Sequence, residues 1–169
     1  MTECVNVLKE WTGKASATVL FDGTVDELNH AWLFDKVKGR QNIAVVAFTT
    51  DGDVFGGFYS VAVTEQTTYM YDPNIFVFSF ESHGRCATPQ RFVVKEGLKK
   101  NAYVCFWTRD DFGFVQFSVL GGYGGFTLGN ERSKSCCQYL SRGFEGLQDT
   151  TLTGNVHHHC TRLVAIQLE

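Results

Sequence analysis

The amino-acid sequence predicts an α+β fold in which β-structure dominates: a two-layer sandwich of mainly antiparallel sheets, flanked by helices near the N-terminus. The main observation is a series of short apolar runs from Asn42 onward, separated by turn residues at a spacing typical of sandwiches. Helical periodicity is strongest before Asn42, and an Asp-Gly pair joins two of the predicted strands. Because no repeat, linker or low-complexity tract divides residues 1–169, we expect a single domain.

Two helices are predicted in the N-terminal part. The first ends at Gly13 and carries three side chains on one side, Cys4, Leu8 and Trp11. The second is expected to begin with a capping box, in which the side chains of Thr24 and Glu27 bond each other's backbone N–H groups. An apolar stripe then continues to about Lys38, and Gly39 ends the helix.

The stretch Thr49–Phe58, TTDGDVFGGF, is interpreted as a β-hairpin. Asp51 and Gly52 separate two apolar runs, and Asp-Gly at such a position is typical of a type I′ turn with positive φ at both central residues. Gly56 and Gly57 inside the second strand indicate a bulge or the close approach of another backbone.

An EF-hand calcium loop is the alternative interpretation of this stretch. Asp51, Asp53 and Gly56 occupy the first, third and sixth positions of such a loop. The fifth position is Phe55 and the twelfth is Ala62, and neither side chain offers the oxygen atom that a calcium ion needs. The hairpin is therefore the favoured interpretation, and no metal site is predicted in it.

The strands that follow the hairpin are rich in phenylalanine. Alternate residues of the run Ile75–Phe80 face opposite sides, so we expect both faces of this strand to be covered. Residues 109–113 are predicted to form a turn, and Thr161–Leu168 is predicted to be the last strand. The predicted core contains five phenylalanines, Phe76, Phe78, Phe80, Phe106 and Phe117.

Composition and charge disfavour several classes of protein. The formal net charge is −3 and the pI is about 5.9, and Lys and Arg form no basic stripe, so no nucleic-acid partner is expected. No apolar run approaches the roughly 20 residues of a membrane-spanning helix, and the N-terminus lacks the pattern of a signal peptide. We therefore expect a cytoplasmic protein without membrane insertion, with nuclear presence left open, whose six cysteines are free thiols.

Two further motifs carry no predicted site. The glycine cluster Gly121–Gly125 lacks the Lys of a phosphate-binding P-loop and the third Gly of a dinucleotide fingerprint, so it is interpreted as a loop between strands. On an extended strand, His157–Cys160 offers at most two ligands on one side, and no second pair of ligands completes a metal site.

No cofactor and no catalytic residue are predicted. Cys86 and Cys136 are the candidate redox thiols, on the condition that they are exposed. His83 lies close to Cys86 in the sequence, but catalysis by cysteine needs a base that is paired with the thiol in space, which adjacency neither shows nor excludes.

Several stretches in a fixed order resemble the TLDc domain of the oxidation-resistance proteins, and the chain is most similar to the short stand-alone members. These stretches are DGDVFGGFYS, IFVFSF, GFVQFSV, GGYGGFTLGN and TRLVAIQLE, and the resemblance covers about residues 16–169. Two departures from the family pattern are Asp72–Asn74, where members often carry Gly-Glu, and Gln167, where they often carry Glu. The positions that match family motifs are Asp51, Gly52, Phe55, Gly56, Gly57, Phe58, Gly124 and Gly125.

The resemblance implies a two-sheet sandwich with flanking helices, protection against oxidative stress and, in some members, binding to the vacuolar proton-pumping ATPase. It implies no catalytic reaction. We therefore expect a non-enzymatic interaction domain that docks on a protein partner, for which the resemblance suggests this proton pump. Two alternatives stay open: a thiol-based redox enzyme or sensor that uses Cys86 or Cys136, and a transcription-associated regulatory factor. No oligomeric state is predicted from the sequence.

Overall fold

The computed structural model describes residues 1–24, 29–108, 113–119, 124–129 and 135–169. Its helices are α1 (Thr2–Thr12), α2 (His30–Val37) and α3 (Leu140–Gly143), and a 3-10 helix spans Glu96–Asn101. The strands in chain order are β1 (Ala17–Thr24), β2 (Ile43–Thr49), β3 (Val54–Tyr59), β4 (Met70–Tyr71), β5 (Phe76–Glu81), β6 (Gln90–Val93), β7 (Ala102–Phe106), β8 (Val115–Val119), β9 (Gly125–Leu128), β10 (Ser135–Gln138), β11 (His157–His158) and β12 (Cys160–Leu168).

The strands of the described residues form two antiparallel sheets of six strands each. Sheet A has the order β1–β12–β2–β3–β5–β6, and sheet B has the order β11–β10–β9–β8–β7–β4. The last strand, β12, lies between β1 and β2 and pairs with both, so the two ends of the chain meet in sheet A. The predicted α+β sandwich of antiparallel sheets is confirmed.

The larger core lies between the inner faces of the two sheets. Phe55 of β3 packs edge-on against Phe126 of β9, with ring centroids 5.4 Å apart, and Tyr59 packs against Phe106 of β7 at 5.9 Å. At Gly57 the sheets approach so closely that a Cβ atom would lie 2.7 Å from the ring of a β8 phenylalanine. At Gly56 a Cβ atom would lie 2.0 Å from the Val45 carbonyl oxygen of β2, so the predicted close approach of another backbone is confirmed at this glycine.

A second core covers the opposite face of sheet A, beneath α1. Trp11 lies parallel to the ring of Phe80, with centroids 5.8 Å apart, and it contacts Phe76 and Phe78, each at 6.1 Å. Leu8 of the same helix is fully buried. Sheet A is therefore covered on both faces, as the alternation of side chains in β5 predicts.

The predicted core is confirmed for four phenylalanines and is wrong for Phe80. Four of them are buried, Phe76, Phe78, Phe106 and Phe117. Phe80, near the end of β5, packs against the ring of Trp11 but is only partly buried. Phe76 and Phe78 lie beneath this helix rather than between the sheets.

Helix α1 ends where the sequence predicts. Gly13 follows its last residue with a φ of +68°, and the Gly13 N–H bonds the Lys9 carbonyl. Glycine adopts this left-handed conformation without the steric penalty of a side chain, which makes it a common end of helices. Neither this helix nor any other in the described part of the chain is long and apolar enough to cross a membrane.

The predicted start of the second helix is wrong. Thr24, the expected N-cap, is the last residue of β1, where it pairs with Arg162 of β12. Asn29 caps α2 instead, because its side chain accepts a hydrogen bond from the Trp32 N–H at 3.0 Å. Glu27 of the predicted capping box lies outside the described residues, as do residues 109–112 of the predicted turn and residues 121–123 of the glycine cluster.

Candidate functional site

The loop between β2 and β3 holds the first of the predicted site residues. Thr49 donates its N–H to the Asp53 carbonyl at 3.0 Å, and the Thr49 carbonyl accepts from the Gly52 N–H at 3.1 Å. Positive φ occurs at Gly52, at +86°, and not at Asp51. The predicted hairpin is confirmed, but the predicted type I′ turn is wrong, because the hydrogen bond between Thr49 and Asp53 encloses three residues, 50–52, and positive φ is confined to Gly52.

The carboxylate of Asp53 connects this loop to two others. The Asp53 side chain is 1% exposed and forms an ion pair with the guanidinium of Arg85, which lies between β5 and β6. Arg85 also donates from Nε to the Thr151 carbonyl and from Nη2 to the Leu152 carbonyl, each at 3.1 Å. We call the three loops that meet here, residues 50–53, 82–89 and 148–154, the loop junction.

Polar side chains at the surface of the loop junction are held by further hydrogen bonds. Oε1 of Glu81 accepts from the N–H of His83 at 2.7 Å and from that of Ser82 at 2.9 Å. These bonds, the His83 one foremost, lower the pKa of Glu81. His83 Nε2 lies 2.9 Å from the Asp51 carbonyl oxygen and 3.6 Å from Oδ1 of Asp53. Hydrogen bonds therefore fix the backbone that carries the exposed side chains of Asp51, Glu81 and His83.

Replacement of Arg85 by alanine is expected to lower the free energy of unfolding by about 2–3 kcal/mol. The change leaves the buried Asp53 carboxylate without its cation, and it removes the bonds to the Thr151 and Leu152 carbonyls. The Arg85 side chain is 28% exposed, so the expected effect is smaller than for a fully buried ion pair. Urea denaturation measures the difference.

Two variants serve as controls for Arg85→Ala. Asp53→Asn should cost less, because asparagine keeps a hydrogen-bond acceptor and the released guanidinium reaches water. Lys99→Ala removes the cation of an exposed pair with Glu96 and should change the free energy by less than about 0.5 kcal/mol. If Arg85→Ala cost as little as Lys99→Ala, the junction would not depend on its ion pair.

Cys86, one of the two candidate thiols, lies in the loop junction and is partly buried. The Cys86 N–H and thiol both donate to Oγ of Ser82, at 3.2 and 3.3 Å. Its side chain also packs against the core between the sheets. The structure thus brings Cys86, Asp51 and Gly52 into neighbouring loops of one region.

Cys136, the other candidate thiol, lies in β10 of sheet B, where it pairs with Thr127 of β9 and His157 of β11. Burial raises the pKa of the Cys136 thiol, and hydrogen bonds with Thr127 offset part of this increase. The two candidate thiols therefore lie apart in the fold, Cys86 in a loop that joins two strands of sheet A and Cys136 in a strand of sheet B.

Burial also raises the pKa of the remaining four thiols. Burial raises the pKa of Cys105 to about 11 and that of Cys160 to about 12, and it raises the pKa of Cys4 and Cys137 as well. A raised pKa leaves little thiolate at neutral pH, and the thiolate is the species that reacts with peroxide. All six cysteines lie within the described residues, and each is a free thiol, as predicted.

His158 contacts the core between the sheets, as does Cys160 of the same HHHC segment. Burial lowers the pKa of His158 to about 4, so the ring is neutral at physiological pH. The ring packs edge-on against Phe55, with centroids 5.1 Å apart, and Nδ1 lies 3.9 Å from Sγ of Cys137. Within the described ranges, no group of three or more His, Cys, Asp and Glu residues could hold a metal ion.

Other residues that match family motifs contribute to packing. Phe55 lies in the core between the sheets, and Phe58 lies in the core beneath α1. A Cβ atom on Gly56 would lie 2.0 Å from a carbonyl oxygen of β2, and one on Gly125 would lie 1.9 Å from a carbonyl oxygen of β8. Gly124 adopts a φ of +101°. Gly56 and Gly125 therefore allow neighbouring strands to approach each other closely, whereas the two phenylalanines fill the cores.

The ion pair at the centre of the loop junction is not evident from the sequence. There, Asp53 matches only a position of a calcium loop, and no motif gives Arg85 a role. The two residues are 32 positions apart, and no helical or strand periodicity connects residues at that separation. The pairing arises only when sheet A brings the β2–β3 and β5–β6 loops together.

Comparison with known proteins identifies the family. Among curated proteins, none matches the chain significantly. A family model described as the TLDc domain matches residues 3–161, a range that includes the β2–β3 hairpin and the whole loop junction. Because the matched range spans most of the 169 residues, the chain belongs to the TLDc domain family.

Proposed function

We propose that this protein is a non-enzymatic interaction domain that contributes to protection against oxidative stress by docking on a protein partner. The TLDc domain family is linked to oxidative stress. The partner that we propose is the vacuolar proton-pumping ATPase, because the resemblance to the family implies that some members bind it. The proposal places the protein in the cytoplasm, where it would meet the cytoplasmic side of this pump.

The observation that carries the proposal is the construction of the loop junction. Arg85 holds the backbone carbonyls of Thr151 and Leu152 as well as the carboxylate of Asp53, so three loops are fixed relative to one another. The exposed side chains of Asp51 and His83 lie on these loops, and that of Glu81 lies next to them. A surface that is ordered before binding loses less conformational entropy when a partner docks, and residues on rigidly positioned loops often serve recognition.

The alternative of a thiol enzyme has less support. Rapid reaction with peroxide needs an exposed thiol of low pKa. Burial instead raises the pKa of five of the six thiols, those of Cys4, Cys105, Cys136, Cys137 and Cys160. Cys86 is partly buried, and its thiol donates a hydrogen bond to Ser82.

Asp51→Lys is expected to weaken binding to the purified soluble sector of the vacuolar ATPase by about tenfold or more, because it reverses an exposed charge on the loop junction. Cys86→Ser and Cys136→Ser are expected to bind the ATPase like the wild type. When either variant is expressed in cells that lack the protein, it should also rescue these cells from peroxide stress as the wild type does. Biolayer interferometry measures the binding. The matched control is Asp35→Lys, an equal change of charge at an exposed position of α2 outside the junction.

Three results would contradict the proposed function. If the wild-type protein does not bind the pump, the pump is not its partner. If Asp35→Lys weakens binding as much as Asp51→Lys, the loop junction is not the docking surface. If the protein consumes peroxide at a rate above that of buffer, and this turnover disappears when Cys86 or Cys136 alone is replaced, the thiol enzyme is the correct interpretation.

A further inference from the structure

We propose that a groove on the outer face of sheet A binds an acidic peptide segment that also carries an apolar side chain. The groove is open to solvent, has a volume of about 390 Å³ and lies between the C-terminal end of α1, the ends of β3 and β5, and β6. None of its described lining residues belongs to the loop junction. The groove is therefore a second binding surface, and the proposal does not depend on the identity of the partner at the junction.

The floor of the groove is apolar. Phe58 of β3 and Phe76 of β5 stack with centroids 4.9 Å apart, and Trp11 of α1 packs edge-on against Phe76 at 6.1 Å. Val93, on the wall formed by β6, is 45% exposed. An apolar side chain of a ligand would remove this valine surface from water, which favours binding.

The walls of the groove carry three cationic side chains, Lys14, Arg91 and Lys99, and no Asp or Glu is among the described residues that line it. Arg91 is held in place, because Nη1 donates to the Trp11 carbonyl at 2.5 Å and the guanidinium carbon lies 5.7 Å from the centroid of Phe76. A guanidinium has five N–H donors, so one side chain can hold this position and also bind a carboxylate.

The positive charge of Lys99 is only weakly compensated. Its Nζ lies 2.5 Å from a carboxylate oxygen of Glu96, but the Glu96 side chain is 87% exposed. Water and salt screen such an exposed pair, so a ligand carboxylate can replace Glu96 at low cost. The whole chain has a formal net charge of −3, whereas the groove concentrates positive charge locally. This positive potential favours an acidic ligand.

The geometry favours a peptide over a nucleic acid. Bases bind to proteins by stacking on exposed aromatic faces. Phe58 and Phe76 are each only 5% exposed, since they cover each other and Trp11 and Arg91 pack on Phe76. A volume of about 390 Å³ is near the lower end for ligand pockets and accommodates a few side chains of an extended peptide.

The test uses the intact protein and three short fluorescent peptides of equal length. The first has Glu residues on both sides of a central Leu-Phe, the second replaces Leu-Phe by Ser-Ser, and the third replaces every Glu by Lys. We expect the first peptide to bind, and the other two to bind at least about tenfold more weakly by fluorescence anisotropy. In NMR spectra, the first peptide should shift the backbone amide signals of Lys14, Val93 and Lys99.

Charge reversal separates this groove from a general effect of net charge. The double variant Lys14→Glu/Lys99→Glu should bind the first peptide at least about tenfold more weakly. The control Lys36→Glu/Lys38→Glu makes the same change in net charge. Lys36 lies in α2 and Lys38 at its C-terminal end, and both are exposed and do not line the groove. This control should bind the first peptide like the wild type. Circular dichroism checks that both double variants are folded.

The proposal is overturned if the first peptide does not bind, if the Lys14/Lys99 and Lys36/Lys38 variants lose the same affinity, or if Ser-Ser in place of Leu-Phe has no effect. It is also overturned if a single-stranded oligonucleotide or inorganic phosphate displaces the first peptide and gives the same NMR shifts at lower concentration. Because these measurements use purified protein and synthetic peptides, they can fail while binding to the proton pump succeeds, and the reverse also holds.

Discussion

Alanine in place of Phe78 is expected to lower the free energy of unfolding by about 3–5 kcal/mol. The ring is 0% exposed in the core beneath α1, where its centroid lies 5.0 Å from that of Phe80 and 6.1 Å from that of Trp11. Truncation removes the buried ring and leaves a cavity between a strand and a helix that are both anchored elsewhere, so the site collapses only partly. Urea denaturation followed by circular dichroism measures the loss.

Two further variants make the Phe78 result specific. Phe80→Ala should cost less, about 1–2 kcal/mol, because that ring is already partly exposed to water. Val19→Ala, at a 50% exposed position of β1, should change the free energy by less than about 0.5 kcal/mol. Equal losses for Phe78→Ala and Phe80→Ala would mean that α1 does not cover β5 in the described way.

The part of the fold that sequence predicts best is set by local patterns. The alternation in β5 correctly assigns its two faces, because neighbouring residues of any strand point to opposite sides. Gly13 correctly marks the end of α1, since the left-handed conformation that follows the helix depends on that residue. Each of these features is decided within a few residues of the chain.

Partners that are distant in sequence explain the start of α2. The segment from Thr24 has a capping-box pattern, but β1 extends to Thr24, because β12 pairs with residues at both ends of β1 across one irregularity between Val19 and Phe21. Asp22 strengthens this pairing, as its carboxylate accepts two hydrogen bonds from Arg162 at 2.7 and 2.6 Å. Long-range pairing therefore outweighs the local preference for a cap, which is worth only about 1 kcal/mol.

The candidate site, like the start of α2, depends on contacts between residues that are distant in sequence. The Asp-Gly pair predicts a two-residue type I′ turn, but three residues separate the hydrogen-bonded Thr49 and Asp53. The buried carboxylate of Asp53 pairs with Arg85 of another loop. The groove combines residues of α1, β3, β5 and β6 that share no repeat or spacing. Surfaces of this kind depend on the order of strands in sheet A, so they become visible only in the folded chain.

Alanine in place of Gly56 is expected to lower the free energy of unfolding by more than about 3 kcal/mol, above the usual cost of overpacking a core. A Cβ atom there would lie 2.0 Å from the carbonyl oxygen of Val45 in the neighbouring strand and 2.7 Å from Cζ of Phe78. The oxygen belongs to the backbone of a central strand of sheet A, so it cannot move without disturbing the pairing of β2 and β3.

The double variant Gly56→Ala/Phe78→Ala tests which of these two contacts sets the cost. Removal of the ring relieves the contact with Phe78 but leaves the one with the Val45 carbonyl, so the double variant should be less stable than either single variant. The control is Gly97→Ala in the 3-10 helix, where an added Cβ meets no atom within 4 Å, and its effect should stay within about 0.5 kcal/mol. A double variant more stable than Gly56→Ala alone would show instead that the ring, and not the backbone of β2, excludes a side chain at this position.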